Sequence, residues 1–270
     1  MTRVLLVAAC LLALPQNLAA AHFDHDHSAW TALLKRSVVL SSDGYASSVR
    51  YDAIRAEKAA LARYLDALSA VNERQFQSFT QAQQRAFLIN AYNAFTVELI
   101  LTRYPRLESI KDLGSLIRSP WKRRFVRLRG ELVSLDDIEH EWLRAPGLYD
   151  DPRVHFALNC ASIGCPMLRE EAYVADRLEA QLDDQMRRFL SDRGRNRWNE
   201  ERQALQVSSI FRWYGEDFER GWRGIDSLAA FFAHHADLLA DSPAARARIR
   251  ERNVRIEFLD YDWRLNDAAH

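Results

Sequence analysis

The sequence predicts an α+β fold, a helix-rich single domain packed on a small mixed or antiparallel sheet. Three observations lead there. Apolar residues recur at helical spacing through most of the chain. Strand-like runs are short and few, at 125–135, 205–207 and 254–259. Helices and strands also fail to alternate in the order that a parallel βαβ sheet requires. No repeat, low-complexity tract or Pro/Gly-rich linker interrupts the chain, so residues 30–266 read as one domain behind a flexible lead-in at 22–29.

The chain opens with Arg3, an apolar run from Val4 to Leu14 and the small residues Ala19-Ala20-Ala21. This is the three-part pattern of a cleavable secretory signal over residues 1–21. The apolar run falls short of the roughly 20 residues that span a bilayer. Val7-Ala8-Ala9-Cys10 offers a lipid-attachment alternative, but too little apolar chain precedes Cys10. The expected product is exported, periplasmic or extracellular, with no transmembrane segment after signal removal.

In the whole chain 37 basic residues balance 37 acidic ones, which argues against general nucleic-acid binding, where an excess of cations displaces phosphate counterions. The exception is local. Arg118, Lys122, Arg123, Arg124, Arg127 and Arg129 occur with no acid between them. They read as a solvated hairpin face or as a contact for an anionic envelope component; no other partner is identified.

The lead-in places His22, His25 and His27 beside Asp24 and Asp26. Imidazole and carboxylate are both metal ligands. The simpler reading is a polar, frayed terminus, and neither a metal nor a cofactor is expected.

A helix is predicted from Ile54 to Leu68 and a clearer one from Gln81 to Arg103, where Thr80 and Gln83 form a capping box and Pro105 stops it. From Ala86 to Phe95 this helix is apolar around most of its circumference, as a helix buried on several sides must be. Asn90 and Asn93, three residues apart, share a face. They either tie the helix to a neighbouring loop or, with Tyr92, line a polar pocket.

Phe125–Leu135 reads as a hairpin turning at Arg129-Gly130. A short helix follows from Ser134, capped with Asp137, and buries Leu135, Ile138 and Trp142. Glu139 lies beside that stripe, either paired or placed to orient a histidine; His140 follows it. Further on, Tyr173–Leu190 reads as an amphipathic helix, Leu205–Val207 as a strand, Ile225–Leu239 as a helix, Ser242-Pro243 as a helix cap and Val254–Leu259 as the last strand. Trp213 and Tyr214 sit in an aromatic run that packs a core edge or walls a groove.

Arg153–Pro166 is the most informative stretch. Its first half reads as a buried strand with His155 and Ala157 on one face, and its second as a loop punctuated by Gly164 and Pro166. Cys160 and Cys165 admit several readings. They can form a disulfide in an oxidising compartment. Cys160 can be a thiolate nucleophile activated by His155 or His140, with Glu139 orienting the base. With His155 they can ligate a metal, although the spacing fits zinc motifs poorly, or they can be plain buried thiols.

Four blocks carry a family resemblance: Phe87–Ala94, Ser134–His140, His155–Cys160 with Cys165-Pro166, and Ser209–Tyr214 with Asp217-Phe218. Together they resemble the family catalogued as domain of unknown function 547, and the ending Tyr261–Asn266 is similar to its bacterial members. The resemblance runs from about Trp30 to Asn266 and implies no assigned reaction. At fold level it implies a distant relation to thiol-hydrolase and transglutaminase-like domains. Such enzymes start the buried helix with cysteine, whereas this helix has Arg85, Asn90 and Asn93. Either the nucleophile has moved to Cys160, making a thiol-dependent hydrolase or transferase for peptide, envelope or acyl substrates, or the protein is a non-catalytic binding or scaffold module with a pocket near His155. Nucleotide loops, Ser-His-Asp signatures and metalloprotease helices are lacking.

Overall fold

The computed structural model describes residues 23–115 and 118–269; the predicted signal at 1–21 and His22 lie outside the described residues. The first half is helical: α1 (Ser28–Ser37), the strand pair β1 (Val38–Leu40) and β2 (Ser47–Val49), α2 (Tyr51–Ala56), α3 (Lys58–Ala70), α4 (Glu73–Gln77) and α5 (Gln81–Leu101). The hairpin β3 (Val126–Leu128) and β4 (Glu131–Val133) leads to a wide-turn π-helical segment, Asp137–Leu143, and then to α6 (Val154–Ala157). The second half comprises α7 (Leu178–Ser191), β5 (Arg197–Asn199), β6 (Ala204–Val207), α8 (Ile210–Trp213), α9 (Gly215–Phe218), α10 (Leu228–His234), α11 (Ala236–Leu239), α12 (Pro243–Arg250) and β7 (Arg255–Phe258). β5 and β6 run antiparallel and β6 and β7 parallel, a three-stranded mixed sheet, so the α+β class holds. No helix among the described residues is long and apolar enough to cross a membrane.

The strongest local signals fold as expected. Thr80 and Gln83 close their capping box, as do Ser134 and Asp137, and Arg129 and Gly130 both take positive φ at the hairpin turn. Ser242 caps α12 with Pro243 at its first turn.

Other boundaries move for reasons of packing. The helix expected at 54–68 is two, broken at Glu57, whose carboxylate accepts both Arg36 donors at 2.8 and 2.6 Å. The helix expected from Tyr173 begins at Leu178, because the N–H groups of Tyr173 and Val174 donate to the side chains of Asn90 and Gln181. The last long helix starts only after Ser227 and is divided at His235.

The buried strand expected at Arg153–Leu158 is instead the short helix α6, with Phe156 N–H bonded to Arg153 and Leu158 N–H to Val154. This segment lies between two hydrophobic clusters. Val154, Ala157 and Leu158 enter the one built on α1, α3 and α5, while Phe156 enters the one built on α7, β6 and α10. Burial on every side removes the periodicity that separates a helix from a strand.

The lead-in is not frayed over its described part. Phe23 packs edge-on against Phe87 at 5.2 Å, His25 against Phe79 at 4.4 Å, and His27 is buried with Nδ1 2.7 Å from the Tyr64 hydroxyl. Burial pushes the His27 pKa down to about 3. The unfolded chain therefore binds a proton that the folded chain refuses, and stability falls progressively as pH drops from 6.5 towards 3. Replacing His27 with Gln is expected to make this loss shallower, read as the urea midpoint between pH 7 and 4; an unchanged slope would assign the acid sensitivity to other groups.

Candidate functional site

The Cys160–Cys165 loop is built from both sides. Asn93 on α5 donates to Ala157 O at 3.0 Å and accepts from Asn159 N–H at 2.8 Å. Asn159 donates to Pro166 O and accepts from Ala161 N–H, which holds Ala161 at positive φ. From the other side Ile163 and Gly164 N–H groups bond the carbonyls of Arg264 and Asp262. A Cβ at Gly164 would lie 2.9 Å from Asp262 N, so only glycine permits this approach. Asn90 similarly bonds Tyr173 through both ends of its amide. Neither asparagine lines the cavity described next; both tie the buried helix to loop backbone.

The loop forms one wall of a half-open cavity of about 240 Å³. Tyr92, Glu139, His140, His155, Trp213 and Tyr214 line it together with both cysteines, so eight sequence-selected residues converge there. Residues that the sequence reasoning had not selected complete it: Asp136, Tyr261, Trp263, Ser119 and Trp121.

At its base stands a charged cluster. His155 Nε2 lies 2.6 Å from Asp217 Oδ2, which also accepts from Arg144 Nε at 2.5 Å; Arg220 is 2.8 Å from the other oxygen. Burial raises the Asp217 pKa, but hydrogen bonds from His155 and Arg144 outweigh it and hold the carboxyl well below the usual range. An ionised carboxylate only accepts, so His155 donates through Nε2–H and is left with Nδ1 as an acceptor. Burial lowers the His155 pKa, assisted by Arg144 and opposed by Asp217 and Glu139. The ring stacks on Tyr214 at 4.2 Å.

Asp217, not Glu139, thus orients the histidine. The π-helical turn, in which Arg144 N–H bonds Glu139 O, presents Glu139 to the Tyr214 hydroxyl instead. His140 is occupied on both nitrogens, by Arg144 at Nδ1 and by Asp136 3.4 Å from Nε2, so it is a poor base. Asp217 was visible in the sequence as part of the Asp217-Phe218 resemblance block, but its role as the orienting group was not.

Both cysteines are free thiols with Sγ atoms 2.7 Å apart, longer than the roughly 2.05 Å of a disulfide. At this separation the disulfide, one of the readings the sequence leaves open, does not join them. Cys160 Sγ also meets Tyr261 OH at 3.0 Å and Ser162 Oγ at 3.2 Å. Burial raises the Cys160 pKa, but hydrogen bonds with Cys165, Ser162 and Tyr261 bring it below the ordinary thiol value. Burial and the neighbouring Cys160 push Cys165 well above that value. No hydrogen bond joins Cys160 to His155. No group of three or more His, Cys, Asp or Glu side chains among the described residues is arranged to hold a metal.

With Asp217 beside it, this loop and helix system is the most characteristic part of the chain. Residues 76–190 match the model of the family described as protein of unknown function, DUF547. That span holds Glu139, His155, Cys160 and Cys165, while Asp217, Tyr261 and Trp263 lie beyond it. No curated protein and no solved structure matches the chain, so the expected likeness to thiol-hydrolase folds is not found.

Removing the Asn93 amide leaves Ala157 C=O and Asn159 N–H unpaired in the interior. Asn93→Ala is expected to destabilise the protein by about 1–3 kcal/mol for each group left unsatisfied, measured by urea unfolding. A loss below about 0.5 kcal/mol, within the usual range for a surface substitution, would remove Asn93 from the bracing of the loop.

Proposed function

We propose that the protein is an exported thiol-dependent hydrolase or acyl transferase acting on peptide, envelope or acyl substrates. Cys160 is the nucleophile, His155 the base and Asp217 the group that orients it. The observation that supports this most is the 2.6 Å His155–Asp217 contact on the cavity that also exposes Cys160.

In this reading the Cys160 proton passes to His155 Nδ1 as the sulfur attacks a substrate carbonyl and forms a C–S bond. The carbonyl π electrons move to oxygen; on their return the leaving group departs with the proton from His155. Water, or a second acceptor, then cleaves the thioester with the same base. Cys160 and His155 are joined only once substrate is bound, as is common for catalytic hydrogen bonds that are loose without it. The amino-terminal signal pattern supports export, and the amino terminus of the secreted chain tests it.

The thiol contact favours a second reading. Cys160 and Cys165 are close enough that a small approach and loss of two electrons to an oxidant in the compartment would join them. The oxidised protein would keep the cavity around His155 as a binding site without a nucleophile.

Iodoacetamide separates the two. In the native protein Cys160 is expected to alkylate at least about tenfold faster than Cys165, with its pH midpoint below the ordinary thiol value because the lowered pKa enlarges the thiolate fraction at neutral pH. Tyr261→Phe should move that midpoint up, and Asp217→Asn should slow turnover of an acyl ester without moving it. Equal labelling of both thiols would remove Cys160 as nucleophile. A mass two hydrogens light after denaturing, non-reducing alkylation would establish the binding reading for the isolated form.

A further inference from the structure

The cavity opens through an aromatic wall that thiol chemistry does not require. Trp263 is its centre: Trp213 stacks on it at 5.7 Å, while Tyr261 at 4.4 Å and Trp121 at 6.0 Å are steeply inclined to it. Trp213 is 41% exposed and stacks on Trp263, so it offers an aromatic surface at the mouth of the cavity. Lys111 Nζ covers the Trp263 ring at 3.7 Å.

Charge is sorted by depth. The interior carries the carboxylates Asp136 and Glu139, which only accept hydrogen bonds when ionised. The cations stand outside. Ser119 and Trp121 line the cavity, and their chain neighbours Arg118, Lys122 and Arg123 are exposed. Within the basic stretch Arg129 is spent on Glu73 at 2.6 and 2.8 Å and Arg124 is 3.7 Å from Asp137, but Arg118, Lys122, Arg123 and Arg127 have no ion-pair partner among the described residues.

We propose that this wall and rim form a subsite for a saccharide carrying a carboxylate substituent. The ring's flat C–H face packs on the exposed Trp213 indole, its hydroxyl groups donate to Asp136, and its carboxylate is held at the rim by Lys122 and Arg123. Polyphosphates and nucleotides are disfavoured at the cavity wall because the two carboxylates repel them. This subsite deepens the thiol-hydrolase reading, from which it takes the position of the reacting carbonyl, but binding needs no chemistry.

The test uses the Cys160→Ala protein, so that failure of the nucleophile and failure of the subsite are read separately. Tryptophan fluorescence is titrated with an oligosaccharide alternating N-acetylglucosamine and N-acetylmuramic acid, with the neutral N-acetylglucosamine tetramer, with tripolyphosphate and with tetraglutamate. Saturable quenching by the acidic saccharide at least about fivefold tighter than by the neutral one, weakened by salt, supports the proposal. Lys122→Ala combined with Arg123→Ala, both at exposed positions, should abolish the preference, and Trp213→Ala should weaken both saccharides. No quenching by either saccharide, tighter binding of tripolyphosphate or tetraglutamate than of the acidic saccharide, or a preference untouched by the double variant would overturn it.

Discussion

The buried carboxylate of Asp217 is the constraint around which the site is organised. A charge held among aromatic rings survives only where donors meet it, and Asp217 takes His155 and Arg144 on one oxygen with Arg220 beside the other. Each partner arrives from a different segment: His155 from α6, Arg144 from the end of the π-helical turn, Arg220 from just beyond α9. The guanidinium of Arg144 also lies over Tyr214 at 4.6 Å, and Tyr214 stacks on His155. Removing one member would leave the rest as unpaired buried charge, typically a loss of about 3–5 kcal/mol. Compensation of one carboxylate thus fixes three segments around the cavity.

How much of this was legible in the sequence depended on the range of each signal. Capping boxes at Thr80 and Ser134, the Arg129-Gly130 turn and the Ser242-Pro243 start are local, written within four residues, and all formed. Asn90 and Asn93 were legible as a buried pair from their spacing of three, and the bond partners resolved which of two roles they take. Asp217 was legible as part of a resemblance block but its role was not, because His155 is 62 and Arg144 73 residues away. The α6 segment misled for a different reason. Residues 154–158 touch both hydrophobic clusters, so every position is buried and no period remains to be read. The lead-in looked polar, but His25 and His27 use their ring edges and faces against Phe79, Phe23 and Tyr64.

Cys160 owes its lowered pKa to donors, not to a cation. Glu139 opposes ionisation there, whereas Tyr261, Ser162 and Cys165 favour it. Burial keeps the Cys165 proton in place, directed at Leu158 O, while its sulfur accepts from Cys160 N–H, and Tyr261, raised first by burial and then by both cysteines, keeps its proton too. The asymmetry of the two thiols therefore follows from position in the loop: both line the cavity, but Cys160 is half-buried beside Ser162 and Tyr261, whereas Cys165 is buried. Tyr261 is carried by the C-terminal segment, whose residues 262–266 are bonded along the backbone to 161–164.

The same reasoning assigns the protonation state of His155. Were Asp217 its only charged neighbour, a buried histidine would be drawn towards the imidazolium, and an imidazolium–thiolate pair would be the natural resting state. Arg144 and Arg220 already compensate that carboxylate, so a second proton on His155 would place excess positive charge in an interior that also disfavours it through burial. The neutral ring is the form that balances the cluster, with Nε2–H committed to Asp217 and Nδ1 available to accept. In the proposed hydrolase reading, such a site would hold its base ready before the nucleophile is connected to it and leave the geometry of the substrate to close the remaining gap between sulfur and nitrogen.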